Sequence, residues 1–282
     1  KQTVADAVTI GVMSQPEDIC LLRHDGSGKN AFKNPLSFRY LDDNFIESDA
    51  VKIGKTFMDY LKKTKDPRIH VYCSLKDGNT EFDKQFGLPN GYDSHTIADA
   101  PSGSFVGLEN TSNFNINTIL RLDAPTIFLM PSETKLLLAE AVLRNWTNGN
   151  AEVLYKEAIT SSMKEQEIAY GTQGKITDEE IETYLVQNLF STANNTEKLQ
   201  IIGEQYWVAT FINGYESYAN WRRTGYPKLI PTNYSGSMSP GVIPTRLPYP
   251  TDEYSINRAN VDTANQQQGA DKVTTHIWWD ID

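Results

Sequence analysis

The 282-residue sequence predicts a mainly α fold of helix hairpins, with a loop-rich region before them and an extended tail after them. Three observations lead there. Residues 132–221 carry apolar side chains at helical spacing almost without interruption. Residues 79–125 scatter aromatics among Gly, Asn, Ser, Asp and Pro with no period at all. After Gly225 the chain loses periodicity, and Pro227, Pro231, Pro240, Pro244, Pro248 and Pro250 mark an extended tail. The expected divisions are therefore 1–131, 132–224 and 225–282.

Composition narrows the function classes. The hydrophobic fraction is 39% and the aromatic fraction 11%, which is a globular balance. A net charge of −10 argues against a nucleic-acid groove or a polybasic membrane surface, since both need clustered Lys and Arg. No apolar run reaches the ~18–20 residues of a membrane span. Cys20 and Cys73 could pair, but two free, buried thiols are the simpler expectation.

In chain order, residues 1–48 read as loops and short strands. Ile19 to Leu22 is a strand candidate, closed by Asp25-Gly26. Gly26-Ser27-Gly28-Lys29 hints at a phosphate loop, but Arg23 stands where its first glycine belongs, and Asn30 replaces the magnesium-holding Ser/Thr. The N-terminus lacks a cap or strand pattern, as though the chain starts partway through a larger protein. Val51, Phe57, Met58 and Leu61 predict a helix, stopped by Asp66-Pro67-Arg68. His70 to Leu75 alternates as a strand.

The irregular stretch holds Phe82, Phe86, Tyr92, Phe105 and Phe114. Long loops in compact domains are often functional. Such aromatics either anchor the loop to the core, the commoner use, or stack on the apolar faces of sugar rings. Beyond it, Leu136 to Leu143 is almost wholly apolar and predicts a buried helix, ended by Asn148-Gly149-Asn150. A second helix covers about 151–169, broken at Gly171 and Gly174. Thr177 to Glu180 is a capping box for a third, with the stripe Ile181, Tyr184, Leu185 and Leu189. The fourth opens at Asn194–Thr196 and runs through Tyr206, Trp207, Phe211, Tyr215, Tyr218 and Trp221 to Arg222-Arg223. Two antiparallel hairpins of this kind resemble tetratricopeptide-like repeats in architecture, though not in consensus. Adjacent Trp278 and Trp279 are expected to be packed.

Enzyme readings find little to stand on. The chain has 36 Asp and Glu, so carboxylate pairs are unavoidable, and no motif marks one. Cys73 with His70 or His95 lacks a nucleophile signature, and His70-x-x-Cys73 lacks a second ligand pair. Asp42, Asp43, Glu47 and Asp49 could collect calcium, but without EF-hand spacing a solvated acidic turn is the plainer reading. No metal or other cofactor is expected.

Several blocks carry a family likeness. Glu204-Gln205-Tyr206-Trp207-Val208-Ala209, followed by Glu216 and Trp221-Arg222-Arg223-Thr224-Gly225-Tyr226-Pro227, resembles the late-helix signature of SusD-like (SusD/RagB) outer-membrane lipoproteins. Ser132-Glu133 to Ala141 is similar to the family's SE-x-x-LL-x-AEA helix, and Asp66-Pro67-Arg68 to its DPR. Thr245-Arg246-Leu247-Pro248-Tyr249-Pro250, with Glu253, Asn257 and Asn260, resembles the R-x-PYP tail, and Trp278-Trp279-Asp280 its C-terminal WWD. Tyr206 replaces the usual lysine, and Ser217-Tyr218 replaces Ala-Trp.

The resemblance implies a surface glycan-binding protein that breaks no bond and needs no cofactor. Its partners would be an oligo- or polysaccharide and a SusC-like TonB-dependent transporter. A peptide ligand, or a docking module with no small ligand, is the alternative. Family members are about twice this length and begin with a lipoprotein signal. The chain is thus expected to be a C-terminal half, lipid-anchored at the extracellular face of the outer membrane through an upstream segment. Family ligand sites use loop aromatics outside the repeats, which points to Phe86, Tyr92, Phe105 and Phe114. Glu216, Trp221, Arg222 and Arg223 are expected to be structural. The arginines sit at a helix C-terminus, where cations offset the dipole, although paired arginines could also grip an anion.

Overall fold

The computed structural model describes residues 1–42, 51–92, 95–190, 192–233 and 236–280. The acidic side chains of Asp42, Asp43, Glu47 and Asp49 fall outside the described set. The chain forms two compact units, one of residues 1–89 and 99–228, the other of residues 90–98 and 229–282.

The larger unit opens with helix α1 (Gln2–Ile10), strand β1 (Cys20–Leu22) and helix α2 (Pro35–Asp42). Helix α3 (Lys55–Thr64) buries Phe57, Met58 and Leu61, the predicted stripe, and ends with Lys65 in the left-handed region at φ 52°. The segment read as a strand from His70 is instead one helical turn, α4 (Ile69–Tyr72), and only β2 (Cys73–Ser74) is extended. The cause lies upstream. Asp66 accepts from the Arg68 backbone N–H at 3.0 Å, which tightens the turn and starts a helix. Strand β3 (Asn113–Phe114) pairs antiparallel with β2, and β4 (Thr126–Leu129) pairs antiparallel with β1.

The helical half follows the caps. Pro131 opens α5 (Pro131–Leu143) from N1, where its missing N–H is harmless. Leu137 of that helix is 43% exposed, so α5 is not buried all round as its apolar run suggested. Asn150 caps α6 (Ala151–Tyr170) by accepting from Glu152 and Val153 N–H. Thr177 and Glu180 form the predicted capping box of α7 (Asp178–Gln187), and Asn194 with Glu197 forms another for α8 (Asn195–Ala209). The fourth predicted helix is not continuous. It breaks after Ala209 and restarts as α9 (Gly214–Thr224), capped by Asn213. At the break, Thr210 Oγ1 donates to the Tyr206 carbonyl at 2.7 Å and meets Ser217 Oγ at 2.7 Å, so side chains compete for the helix's own bonds.

Helices α5 and α6 pack as a hairpin, α8 lies across both, and α7 lies against α6. An aromatic cluster joins this half to the loop-rich half. Phe211 stacks on Phe57 at 4.3 Å and 5°, and Phe114 meets Phe211 at 5.5 Å and Tyr40 at 5.4 Å. Among the thiols, Cys73 is buried and Cys20 exposed, both free; Cys20 thus departs from the buried expectation.

In the smaller unit the proline-rich segment is extended, but beyond Pro250 the chain forms two further helices, α10 (Thr251–Ile256) and α11 (Arg258–Gln268). Asp271 organises it, pairing with Arg246 at 2.9 Å and accepting from Tyr249 N–H and the Tyr254 hydroxyl. Trp278 and Trp279 are 83% and 50% exposed, contrary to the packing expected of them. They sit in a terminal turn closed by Asp280 N–H on the Ile277 carbonyl.

Candidate functional site

The Asp66-Pro67-Arg68 turn reads in sequence as a helix stop. In the fold it is a buried charge centre. Arg68 and Asp66 are both fully buried, and the guanidinium grips the carboxylate through Nε and Nη2. Its remaining donors reach Ser162 Oγ of α6 at 3.0 Å and Gln205 Oε1 of α8 at 2.6 Å. Gln205 then donates to the hydroxyls of Tyr60 on α3 and Tyr184 on α7, at 3.0 and 2.6 Å. Burial pushes both phenols well above their ordinary pKa, so they stay neutral.

This turn forms one wall of an open cavity of about 730 Å³, within the range of small-molecule sites. Pro67 and Phe82 supply accessible apolar surface, backed by the buried Ile69 and Tyr184; Lys62, His70, Asp83 and Glu179 supply polar groups. Lys62 connects the cavity to Phe86, its ammonium lying 4.1 Å from the Phe86 ring centroid and 6.0 Å from that of Phe82. Burial lowers the Lys62 pKa, and Asp83 and Asp59 counter it.

The loop that presents these rings is held from below. Buried Gln85 donates to the carbonyls of Asn79 and Glu81 and accepts from Ser112 Oγ at 2.8 Å. Ser112 Oγ in turn accepts from Phe86 N–H, and Ser112 N–H donates to the Phe86 carbonyl. Gly87 lies so close to the Lys55 backbone that a Cβ has no room. Phe86, 38% exposed, is therefore an outward ring on a fixed backbone.

The other predicted aromatics lie elsewhere. Phe114 belongs to the aromatic core described above. Phe105 is half-buried in the same unit, and Tyr92 is half-buried in the smaller one. The structure does not bring the four rings together in one unit. Sequence reasoning missed Lys62, Phe82 and Tyr184 as cavity residues; only Phe82 carried a signal, as a loop aromatic.

The four structural candidates lie around α9. Arg223 clamps Glu140 of α5 through Nη1 and Nη2, both at 2.7 Å, and Arg144 adds a third bond at 2.7 Å. These arginines hold the Glu140 carboxyl below its ordinary range against its burial. Glu216 accepts from the Tyr206 hydroxyl at 2.7 Å. Trp221 stacks on Tyr218 at 6.0 Å, and the Arg222 guanidinium lies 5.8 Å from the Tyr218 centroid. Nearby, Glu165 is buried and accepts from Ser132 N–H, Ser132 Oγ and Ser161 Oγ. Glu133, 5% exposed and with Oε1 unpartnered, is pushed up to about 8 by burial and by the charges of Glu216 and Glu165.

Among the described residues no cluster of His, Cys, Asp and Glu could hold a metal ion, and no helix is long and apolar enough to cross a membrane. Burial pushes the Cys73 thiol far up, away from nucleophilic use.

Residues 1–250 match the family described as SusD-like, "Starch-binding associating with outer membrane". No curated protein matches the chain. Among solved structures, a chitin-binding protein is similar at 29% identity and TM-score 0.77, over 98% of this chain and 58% of its own. A SusD homologue from Bacteroides fragilis is 23% identical with TM-score 0.73, over 99% of this chain and 61% of its own. A chitin-binding SusD homologue from Flavobacterium johnsoniae is 23% identical with TM-score 0.72, over 98% and 57%. The chain thus spans about three fifths of the length of these relatives. With the family match running from the first helix into the R-x-PYP segment, the chain belongs to the SusD-like family.

Proposed function

We propose that this protein is a glycan-binding component of an outer-membrane nutrient-uptake system, holding its ligand by shape and stacking and breaking no bond. The observation that carries the reading is the open cavity lined by Phe82, flanked by the fixed, outward Phe86 and edged by Lys62, His70 and Asp83. Apolar ring faces beside hydrogen-bonding side chains match a pyranose, whose C–H faces are apolar and whose rim is hydroxylated. The family's starch-binding description and the chitin-binding relatives support the ligand class. Partnership with a TonB-dependent, SusC-like transporter and a lipid anchor at the extracellular face belong to the same proposal. Phe105 is a candidate for a further contact of a longer glycan, and Tyr92 is a separate candidate in its own unit.

The test is calorimetric titration with malto- and chito-oligosaccharides. Joint Phe82→Ala and Phe86→Ala substitution is expected to weaken binding about tenfold or more, as loss of central aromatic anchors does, with the circular dichroism unchanged. Unaltered affinity refutes this site. Absence of any saccharide binding, with stable capture of a transporter barrel, favours a docking role instead.

A further inference from the structure

Helix α9 has two faces. One is pinned inward by Arg223, Glu216 and the buried Asn220. The other carries Tyr215 and Tyr218, one helical turn apart, at 93% and 40% exposure. Across from them, strand β4 presents Phe128 at 53% exposure. Between lies an open groove of about 600 Å³, whose lining includes Thr126, Phe128, Asn213, Tyr215 and Tyr218. It shares no residue with the cavity beside Phe86.

We propose that this groove is a second saccharide site, taking a neutral glycan chain. The chemistry of its wall selects that class. Every lining residue is uncharged, on a chain of net charge −10, whereas the first cavity is edged by ionisable groups on several sides. The lining itself offers a charged ligand no partner, the Arg222 guanidinium lying outside it against Tyr218, and a neutral polyol needs no partner charge. The polar groups present are an amide and hydroxyls, the donors and acceptors that sugar hydroxyls use. They are also held in place. Asn213 Oδ1 is fixed as the α9 cap on Glu216 N–H, so its amide points from an anchored position, and Thr126 Oγ1 is bonded to His24 Nε2 at 2.9 Å. Trp221 stacks on Tyr218. Anchored polar groups lower the ordering cost of binding.

The proposal rests on the reading that the protein binds glycans, and the experiment separates the two. Binding of maltoheptaose and chitohexaose is followed by saturation-transfer NMR and titration for four proteins: the unaltered chain, Phe82→Ala/Phe86→Ala, Phe128→Ala/Tyr215→Ala, and the combination. These four side chains are at least partly exposed, and circular dichroism verifies the fold. Residual binding in the first double variant that falls about tenfold further in the combination supports a second site. Equal residual binding in those two overturns it while leaving the first site standing. Loss of self-association in Phe128→Ala/Tyr215→Ala, at unchanged saccharide affinity, overturns it in favour of a protein-binding face. No saccharide binding by the unaltered chain overturns both readings.

Discussion

Replacing Glu133 with Gln should stabilise the protein, by an amount that grows with pH. Glu133 is buried on α5 with one oxygen unpartnered, and Glu216 and Glu165 bear on it. Its carboxyl titrates near 4.5 in an unfolded chain and near 8 in the folded one. Below the lower value both states hold the proton, and the carboxyl has no effect on stability. Between the two the unfolded chain ionises while the folded one keeps its proton, so stability falls as pH rises. At pH 7 the accumulated loss is roughly 3 kcal/mol, at about 1.4 kcal/mol for each unit of pH crossed. Glutamine keeps the shape and carries no charge, so it removes this loss. The assay is urea unfolding of both proteins from pH 4 to pH 9. The difference in free energy should be near zero at pH 4, climb through neutrality and level off above pH 8. A difference that is flat across pH, or a variant less stable at pH 8, would refute the reasoning, because either result means an ionised, well-paired carboxylate.

Other substitutions follow from the same geometry. Arg68→Met should destabilise the chain by about 3–5 kcal/mol in denaturant titration, since it leaves Asp66 charged, buried and without its partner. Arg223→Lys keeps the charge but loses the two-pronged clamp on Glu140, and a loss of about 1 kcal/mol is expected in thermal unfolding. Gly203→Ala should destabilise by about 1–3 kcal/mol although alanine is the better helix former, because its Cβ would stand 2.5 Å from Tyr226 Cβ. A stabilised Gly203→Ala protein in the same assay would show that Tyr226 yields freely.

Much of the helical half could be read from side chains that act locally. Thr177 with Glu180, and the opening at Asn194, mark helix starts because a cap and the N–H groups it satisfies lie within a few residues of each other, whereas Asn150, read as a stop, is also the cap of α6. The break at Thr210 is masked because aromatic spacing continues through Phe211, although its causes are local: Thr210 and Ser217 bond across the bend and Asn213 caps the next helix. The charge centre escaped for a stronger reason. Arg68 meets Ser162 and Gln205 across 94 and 137 residues, and no local pattern encodes that. The loop aromatics divide in the same way. Phe114 and Phe86 look alike in sequence, yet β-pairing with Cys73 turns one to the core, and the Gln85–Ser112 clasp turns the other outward. Exposure of Tyr215 was equally hidden, since an aromatic helix reads as a buried one.

Arg68 also changes how this architecture should come apart. Stacked helix hairpins ordinarily interact with their nearest neighbours, so end repeats fray first and unfolding spreads along the array. Here a single guanidinium and the glutamine beside it tie the turn after α3 to α6, α7 and α8 at once. Loosening any of these elements strands a buried ion pair, so none gains by leaving alone. Amide exchange in α3, α6, α7 and α8 should consequently share one opening energy, and the helical scaffold should melt in a single step rather than unzip.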